Sequence, residues 1–599
     1  MATKIGVAFP DYIHFEKHRK PRNLEFEEKA PRNERTLLLL LIFIILTGVL
    51  FLRLLSLQVF KGSYFRELSD SNRTKTVLVH APRGTIFDHN GTPLIYNIPG
   101  FRKIEGNKTK ILDADAANEL LAKGENNLEI DSLREYPYKE AFSHVLGFLG
   151  QISEDELKIP FFKDYNLTDL IGKEGIEREY EGILKGAEGK RLIEEDSTGR
   201  EIRVLGQTEP IAGRDITLTL DLDLQLASFK AMEKVKKGAV VVSTPKGEIL
   251  ALLSKPSFDP NLFTLGEFYK TATTSGYQNV EEILGDFQNQ PLLNRAIGGA
   301  YPPGSTFKIV TAASGLEGGI IDESYTVEDI GILRVGAFSF ANWLYTGYGR
   351  TDGTLNIVSG IKRSNDIFFY KLAEKIGVDR LSETAEEFGL GGKLGIDLAG
   401  EAEGLVPTPQ WKEENIGESW YLGDTYHYGI GQGFVLTTPL QVNAWTQAVV
   451  NKGVIYRPYI LKNLGTKTFK KNLLNKENSD LIKQGMIESC ATGGVAWPLF
   501  EFRVKNKNLP IDGKNFSEVP QSTTSAGFKD FRGVSVACKT GTAQHGGEET
   551  LPHAWITLLA PAYDPQIIVT VLAEESGEGS NVAAPIAKEI LTAWFEKNE

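Results

Sequence analysis

An unbroken apolar run covers residues 36–52, and Arg53 is the first charge to interrupt it before Leu54-Leu-Ser-Leu-Gln-Val-Phe60. A run of that length sits at the lower limit for a membrane-spanning helix, and an arginine near the helix end reaches the headgroups. Beyond residue 210 the period changes. Asp215-Ile-Thr-Leu-Thr-Leu-Asp221 alternates as a strand does, and 221–236 has helical spacing. Gly238-Ala-Val-Val-Val242 and Ile249-Leu-Ala-Leu-Leu253 flank Pro245-Lys-Gly247, which reads as strand, tight turn, strand. Helical runs occupy much of 305–390. Late strands are expected around 534–539, 554–560 and 566–574, with a last helix over 584–597. This order of elements predicts an α+β fold in which helices flank an antiparallel sheet.

Lys17, Arg19, Lys20, Arg22, Lys29, Arg32 and Arg35 precede the apolar run, which places the N-terminus in the cytoplasm. No small-x-small cleavage site follows the run, and the tail before it is long, so an uncleaved anchor is favoured over a signal peptide. The expected organisation is a cytoplasmic tail over 1–35, a transmembrane anchor over 36–58, an elongated β-rich region over 59–210 and a large domain over 211–599. Whatever follows the anchor then works at the cell surface or in a periplasm. A chain of 599 residues should hold more than one domain, and 41% hydrophobic with 24% charged residues is ordinary for globular protein. A net charge of −12 argues against nucleic acid as the main partner. Eight histidines lack metal-ligand spacing, which predicts neither metal nor cofactor. Two cysteines, Cys490 and Cys538, are too few for a disulfide framework, although one bridge between them remains open.

Candidate chemistry lies in three short motifs: Ser305-Thr-Phe-Lys308, Ser364-Asn-Asp366 and Lys539-Thr-Gly-Thr542. The Ser-x-x-Lys pattern also occurs at Ser243/Lys246 and Ser359/Lys362, so context has to choose. Ser243 ends a strand and Lys246 sits on the following turn, pointing the two apart. Ser359 and Lys362 share a helix face, but no loop exposes that helix start. Ser305 follows Pro302-Pro-Gly304 at the first turn of an apolar helix, where residues three apart lie on one face and Lys308 comes beside the hydroxyl. An N-cap serine would be the bland alternative. The other two motifs, following in order, make it the weaker one.

This ordered set is the recognised signature of penicillin-binding proteins and serine β-lactamases, and the chain resembles that family. Ala81-Pro-Arg-Gly-Thr-Ile-Phe-Asp88, His144-Val-Leu-Gly147 and Gly172-Lys-Glu-Gly-Ile-Glu177 resemble the N-terminal pedestal of its class B members, with His89 where a second arginine is usual. Lys255-Pro-Ser-Phe-Asp-Pro-Asn261, Gly429-Ile-Gly-Gln-Gly433 with Thr438-Pro439, and His553-Ala-Trp555 with Ala560-Pro561 extend the likeness to the C-terminus. The Gly429–Gly433 run is no dinucleotide fingerprint, because Phe434 takes the last glycine position, and it reads as a loop near the active site. Ser364-Asn-Asp366 followed by Ile367-Phe-Phe-Tyr370 looks more like the elongation branch than the division branch. The segment 100–136 is short for the pedestal's head.

The resemblance implies a pedestal over 59–210, a serine transpeptidase domain over 211–599 and acyl transfer at a peptide carbonyl. Ser305 would be the nucleophile, Lys308 its base, and Ser364 the group passing a proton to the leaving amine. Asp366, where asparagine is usual, would orient Lys308, although its charge opposes the burial that keeps that lysine neutral. Lys539, Thr540, Gly541 and Thr542 would line an edge strand and hold the donor's terminal carboxylate, with the N–H groups of Ser305 and Thr542 as oxyanion hole. Cys538 replaces a usual glycine and reads as a structural residue. The implied partners are peptidoglycan stem peptides (a D-Ala-D-Ala donor and an amine acceptor), β-lactams, the lipid bilayer of the bacterial plasma membrane and a polytopic glycan polymerase. A carboxypeptidase using water as acceptor shares all three motifs. A β-lactamase would need a separate deacylating glutamate, a signalling receptor further membrane spans or an effector domain, and an idle scaffold would not need the full motif set.

Overall fold

The computed structural model describes residues 34–125, 128–196, 201–271, 276–506, 508–509, 531–547 and 550–597. By compactness the chain falls into two units, Met1–Lys75 with Glu195–Ser197, and Thr76–Glu194 with Thr198–Glu599. The first contains helix α1 (Glu34–Leu55), continued by a π turn (Ser56–Phe60), and helix α2 (Gly62–Arg73). Glu34–Phe60 is 27 residues long with a mean hydropathy of 2.9 over its apolar window. At ~1.5 Å per residue it exceeds the ~30 Å of a hydrocarbon core, so it is long and apolar enough to cross a membrane. It starts and ends two residues beyond the expected 36–58 span. The tail expected in the cytoplasm lies, up to residue 33, outside the described residues.

In the second unit, strands β1 (Tyr96–Glu105) and β2 (Lys108–Leu112), helix α3 (Ala114–Ala122) and strand β3 (Leu128–Glu135) form the short head, with sheet order β2-β1-β3. Below it the two pedestal motifs meet. Arg83, from Pro-Arg-Gly, donates through Nη2 to Glu177 Oε2 and Glu181 Oε2, both at 2.7 Å, and Arg134 Nε reaches Glu177 Oε1 at 2.9 Å. Glu177 is fully buried, so two guanidinium groups sharing its carboxylate satisfy a charge that would otherwise be costly. The alternation over 215–221 yields less strand than expected. Ile216–Thr217 pairs in parallel with Ile86–Phe87, a partner itself two residues long, and Leu218 adds a single antiparallel bridge to Leu461. Ile216, Leu218 and Leu220 are buried all the same.

Asp221 caps helix α4 (Leu222–Ala231) by accepting from the Leu224 N–H. The helix stops short of residue 236. Strands β4 (Gly238–Ser243) and β5 (Ile249–Lys255) form the expected hairpin. There follow helices α5 (Lys308–Glu317), α6 (Ile357–Arg363), α7 (Asp366–Ile376), α8 (Pro439–Val450) and α9 (Lys476–Ser489). Strands β6 (Ala537–Ala543), β7 (His553–Ala560) and β8 (Ile567–Ala573) complete the sheet, and α10 (Ala583–Glu596) closes the fold. The sheet is antiparallel with order β5-β4-β8-β7-β6. Helix α8 packs on one face, and α4 and α10 serve the other. Ala239, Val241, Trp555, Leu559, Ile568 and Leu572 face the first core, and Val240, Val242, Ile556, Leu558, Val569 and Val571 the second. Burial on both faces explains why these strands read as continuous apolar runs and not as alternating ones.

The sheet leaves β6 at its edge, as expected, but the strand starts later than 534. Phe531–Gly533 pairs with Arg503–Lys505 in a separate ribbon, and Val534 N–H donates to Phe502 O, so 534–536 only connect the two. Lys539–Thr542 therefore lies in mid-strand. At the pedestal, Glu177→Ala would remove the one carboxylate that two buried guanidinium groups share. The expected cost is about 3–5 kcal/mol, read as a lower midpoint in urea unfolding. A wild-type midpoint would show that the Arg83–Glu177–Arg134 cluster does not fasten the base.

Candidate active site

Gly304–Phe307 forms a 3-10 turn that runs into α5, so Ser305 and Lys308 sit on consecutive tight turns at a helix start. Gly304 has φ +53°, and a Cβ there would stand 2.9 Å from Thr542 O, so only glycine lets the turn approach the edge strand. Its N–H donates to Gly431 O at 2.8 Å, which seats the Gly429–Gly433 loop beside the turn as the sequence suggested. Gly541 is equally constrained, since an added Cβ would meet Pro303 O, Thr306 Cγ2 and Trp555 Cβ, each at 3.0 Å. Turn and strand are thus packed backbone to backbone.

Lys308 is fully buried. Its ammonium donates to Ser364 O and to Asp366 Oδ1, both at 2.7 Å, and lies 5.4 Å from the centre of the Phe369 ring. Lys539, also fully buried, donates to Ser364 Oγ at 2.7 Å and to Thr540 O at 3.0 Å. Four of the predicted residues therefore form one linked network around Ser364. The expected contact between Lys308 and the Ser305 hydroxyl is not among the hydrogen bonds of the described residues. Lys308 is turned instead toward Ser364 and Asp366, because these offer acceptors to a buried ammonium that must be satisfied. Ser305 itself is partly exposed. Thr540 is buried and Thr542 exposed, with the Thr542 carbonyl accepting from Gln432 Nε2 at 3.3 Å and its hydroxyl from Gly579 N–H at 3.4 Å.

Electrostatics decide the contest that the sequence left open. Burial lowers the Lys308 pKa, and Asp366 opposes this without cancelling it, so the group lies below the ordinary lysine range. Lys539 is pushed well below that range by burial first and by repulsion from Lys308 second, with Asp366 again opposing. Burial therefore disfavours the charged form of both lysines, and at Lys539 the charge of Lys308 adds to it.

Ser364 has φ +52°, a left-handed conformation costing a serine ~1–3 kcal/mol. It is held at the junction of α6 and α7 by its own N–H donating to Ile361 O at 3.1 Å and by Asn365 N–H donating to Gly360 O at 3.0 Å. Two residues that no motif contains complete the support. Trp343 N–H donates to Asp366 Oδ2 at 3.0 Å, and Asn342 Oδ1 accepts from Asp366 N–H at 3.2 Å. No sequence motif pointed to them: Asn342 precedes the short helix Trp343–Tyr348, but its side chain does not cap it.

The competing pairs are occupied elsewhere. Ser243 Oγ donates to Asn443 Oδ1 at 2.6 Å, while Lys246 lies on the exposed turn. Ser359 closes a capping box with Asn356, and Lys362 pairs with Glu488 at 3.2 Å. Cys538 is joined to Cys490, the C-cap of α9, with 5.8 Å between their Cα atoms. The bridge left open by the sequence is formed and Cys538 is structural, as expected; it ties the edge strand to α9 on the side opposite Lys539.

The penicillin binding protein transpeptidase domain model matches residues 238–592, and the penicillin-binding protein dimerisation domain model matches 126–218. The peptidoglycan D,D-transpeptidase MrdA of Escherichia coli K12 is 32% identical over 626 residues, covering 94% of this chain and 94% of its own. The complex between penicillin-binding protein 2 and MreC from Helicobacter pylori aligns with a TM-score of 0.68 at 27% identity, over 88% of this chain and 98% of that one. A structure described as showing coordination of polymerization and crosslinking by a peptidoglycan synthase complex aligns at 0.69 and 28% identity, over 94% and 99% of the two chains. With a family model covering more than half its length and a relative matched almost end to end, this chain belongs to the penicillin-binding protein transpeptidases, in the group of penicillin-binding protein 2.

Proposed function

We propose that the chain is a peptidoglycan D,D-transpeptidase of cell elongation, with Ser305 as nucleophile. The observation carrying the assignment of roles is the buried pair of lysines that share Ser364, one through its carbonyl and one through its hydroxyl. Neutral Lys308 takes the Ser305 proton as Oγ attacks the carbonyl of the penultimate D-Ala of a stem peptide. The N–H groups of Ser305 and Thr542 receive the oxyanion, a role supported by the close approach of Gly304 to Thr542. Ser364 relays a proton to the departing D-Ala amine, the C–N bond breaks, and an acyl-enzyme remains. An amine on a neighbouring stem then attacks the ester, loses a proton through the same groups and frees Ser305. Lys539, Thr540 and Thr542 hold the donor's terminal carboxylate, and Gly541 lets their strand lie against the nucleophile turn. β-Lactams enter as donor mimics.

The proposed division is a cytoplasmic tail over 1–35, an anchor over 36–58, a pedestal over 59–210 and the transpeptidase domain over 211–599. The order of the two matched family segments supports it. The N-terminus faces the cytoplasm and the catalytic domain lies outside the bacterial plasma membrane, supported by the basic tail and by the Cys490–Cys538 bridge, which fits an oxidising compartment. Among the described residues one helix, Glu34–Phe60, is long and apolar enough to cross a membrane, which suits docking of the chain to a polytopic glycan polymerase that supplies nascent strands.

Two outcomes test the mechanism on the full chain in detergent. Incubation with a labelled penicillin should add one acyl mass to the wild type and none to Ser305→Ala. An equal adduct on the variant would remove Ser305 from its role. The acylation rate should fall as pH drops through the lowered Lys308 pKa, because only the neutral amine accepts a proton. Asp366→Asn removes the charge that raises that pKa, so the acid limb should move to lower pH. A limb that stays or moves up would contradict Lys308 as the base.

A further inference from the structure

We propose that Asp329 is a positioning residue for acylation: it grips Asn342 and Asn365, which fix Asp366 and the Ser364 turn against Lys308. The inference rests on the acyl-transfer reading of the site and deepens it. Asp329 ends the strand Val327–Asp329, opposite Gly353, and is 3% exposed. Its Oδ1 accepts from Gly331 N–H at 2.8 Å. Its Oδ2 accepts from Asn342 Nδ2 at 2.9 Å, Asn365 Nδ2 at 2.8 Å and Asp352 N–H at 2.9 Å. Both asparagines are completely buried.

Each asparagine has its other end committed to the active site. Asn342 Oδ1 accepts from Asp366 N–H, and the neighbouring Trp343 N–H holds Asp366 Oδ2. Asn365 Oδ1 accepts from Phe368 N–H at 2.9 Å and so starts α7 with Asp366 as its first residue. With its N–H and Oδ2 taken, Asp366 has Oδ1 for Lys308 at 2.7 Å. The residues after Ser364 are thereby pinned, which holds that serine in its left-handed conformation. Asp352 does not duplicate this role. It reaches Asn365 at 3.1 Å, but its other oxygen receives Arg363 Nε at 2.8 Å. Among the described residues, Asp329 alone bonds both asparagine side chains. A carboxylate serving only the loop would bond backbone groups and leave the flanks of Ser364 to other partners.

The test compares wild type, Asp329→Asn, Asp366→Asn and the double variant as full chains in detergent. Labelled-penicillin acylation is followed by intact mass against pH, beside a thermal melt. The charged groups facing Asp366 are Lys308 and Lys539, with Asp329 and Asp352 behind Asn365. Asp329→Asn should slow acylation by about ten- to hundred-fold, the scale of a small misplacement of reacting groups. It should also move the acid limb to lower pH, as Asp366→Asn does, because Asp366 no longer sits on Lys308. In the double variant the limb should stay where Asp366→Asn alone puts it. Wild-type rate and limb, a loss proportional to the unfolded fraction with an unmoved limb, or additive limb shifts would each overturn the proposal. Should Asp329→Asn fail to fold, Asn342→Ala removes one arm and should shift the limb in the same direction; an unmoved limb there overturns it equally. A wild-type chain that takes no penicillin would sink the acyl-transfer reading itself. Normal wild-type acylation beside an indifferent Asp329→Asn sinks this inference alone.

Discussion

Two fully buried lysine side chains converge on Ser364 with one carboxylate, Asp366, beside Lys308, and the rest of the site follows from how that is tolerated. Neither lysine has water to solvate it, and each raises the cost of charging the other. Ser364 resolves the problem by offering two acceptors on different sides, its carbonyl to Lys308 and its hydroxyl oxygen to Lys539. When Lys539 donates to Oγ, the hydroxyl hydrogen must point elsewhere, the orientation that the proposed proton relay requires. That double use goes with the unusual backbone at φ +52°, which the proposed relay would explain as strain kept for function and not for chain reversal alone.

The sheet determines where the second lysine can be. Strands β4, β7 and β8 are buried on both faces, so their positions are fixed by two cores at once. Strand β6 has a neighbour on one side only, which leaves its other edge for an extended peptide but also leaves it weakly held. Three contacts compensate. Gly304 and Gly541 allow the nucleophile turn to press against it, Gln432 reaches Thr542 O, and Cys538 is bridged to α9. Because side chains alternate along a strand, the bridge at Cys538 secures the strand from the face away from Lys539 without entering the cleft.

The three motifs were legible because each packs its chemistry into four residues or fewer, where spacing alone dictates a shared face or turn. The edge position of the third motif was legible too, but not its place in mid-strand. Val534 and Val536 look like strand residues, yet the ladder that would confirm them belongs to Phe531–Gly533 and its partner Arg503–Lys505. In the pedestal the sequence singled out the segments containing Arg83 and Glu177 without pairing them, since they are 94 residues apart. Asn342, Trp343 and Asp329 carried no signal at all. Their contacts with the second motif span 23 to 36 residues and depend on how two short hairpins fold back.

Asp366 shows how such support changes the chemistry of a motif. A carboxylate 2.7 Å from a lysine would ordinarily hold that lysine's proton, which would disable it as a base. Here the carboxylate has other obligations. It stands at the first position of α7, where the helix dipole favours negative charge, and its second oxygen accepts the Trp343 N–H. These partners stabilise the carboxylate independently of Lys308. Burial then prevails at Lys308, and the lysine is lowered, not raised. In the proposed mechanism the aspartate aims a neutral amine, and the helix start and the Trp343 N–H take up the charge that the expected asparagine would not carry.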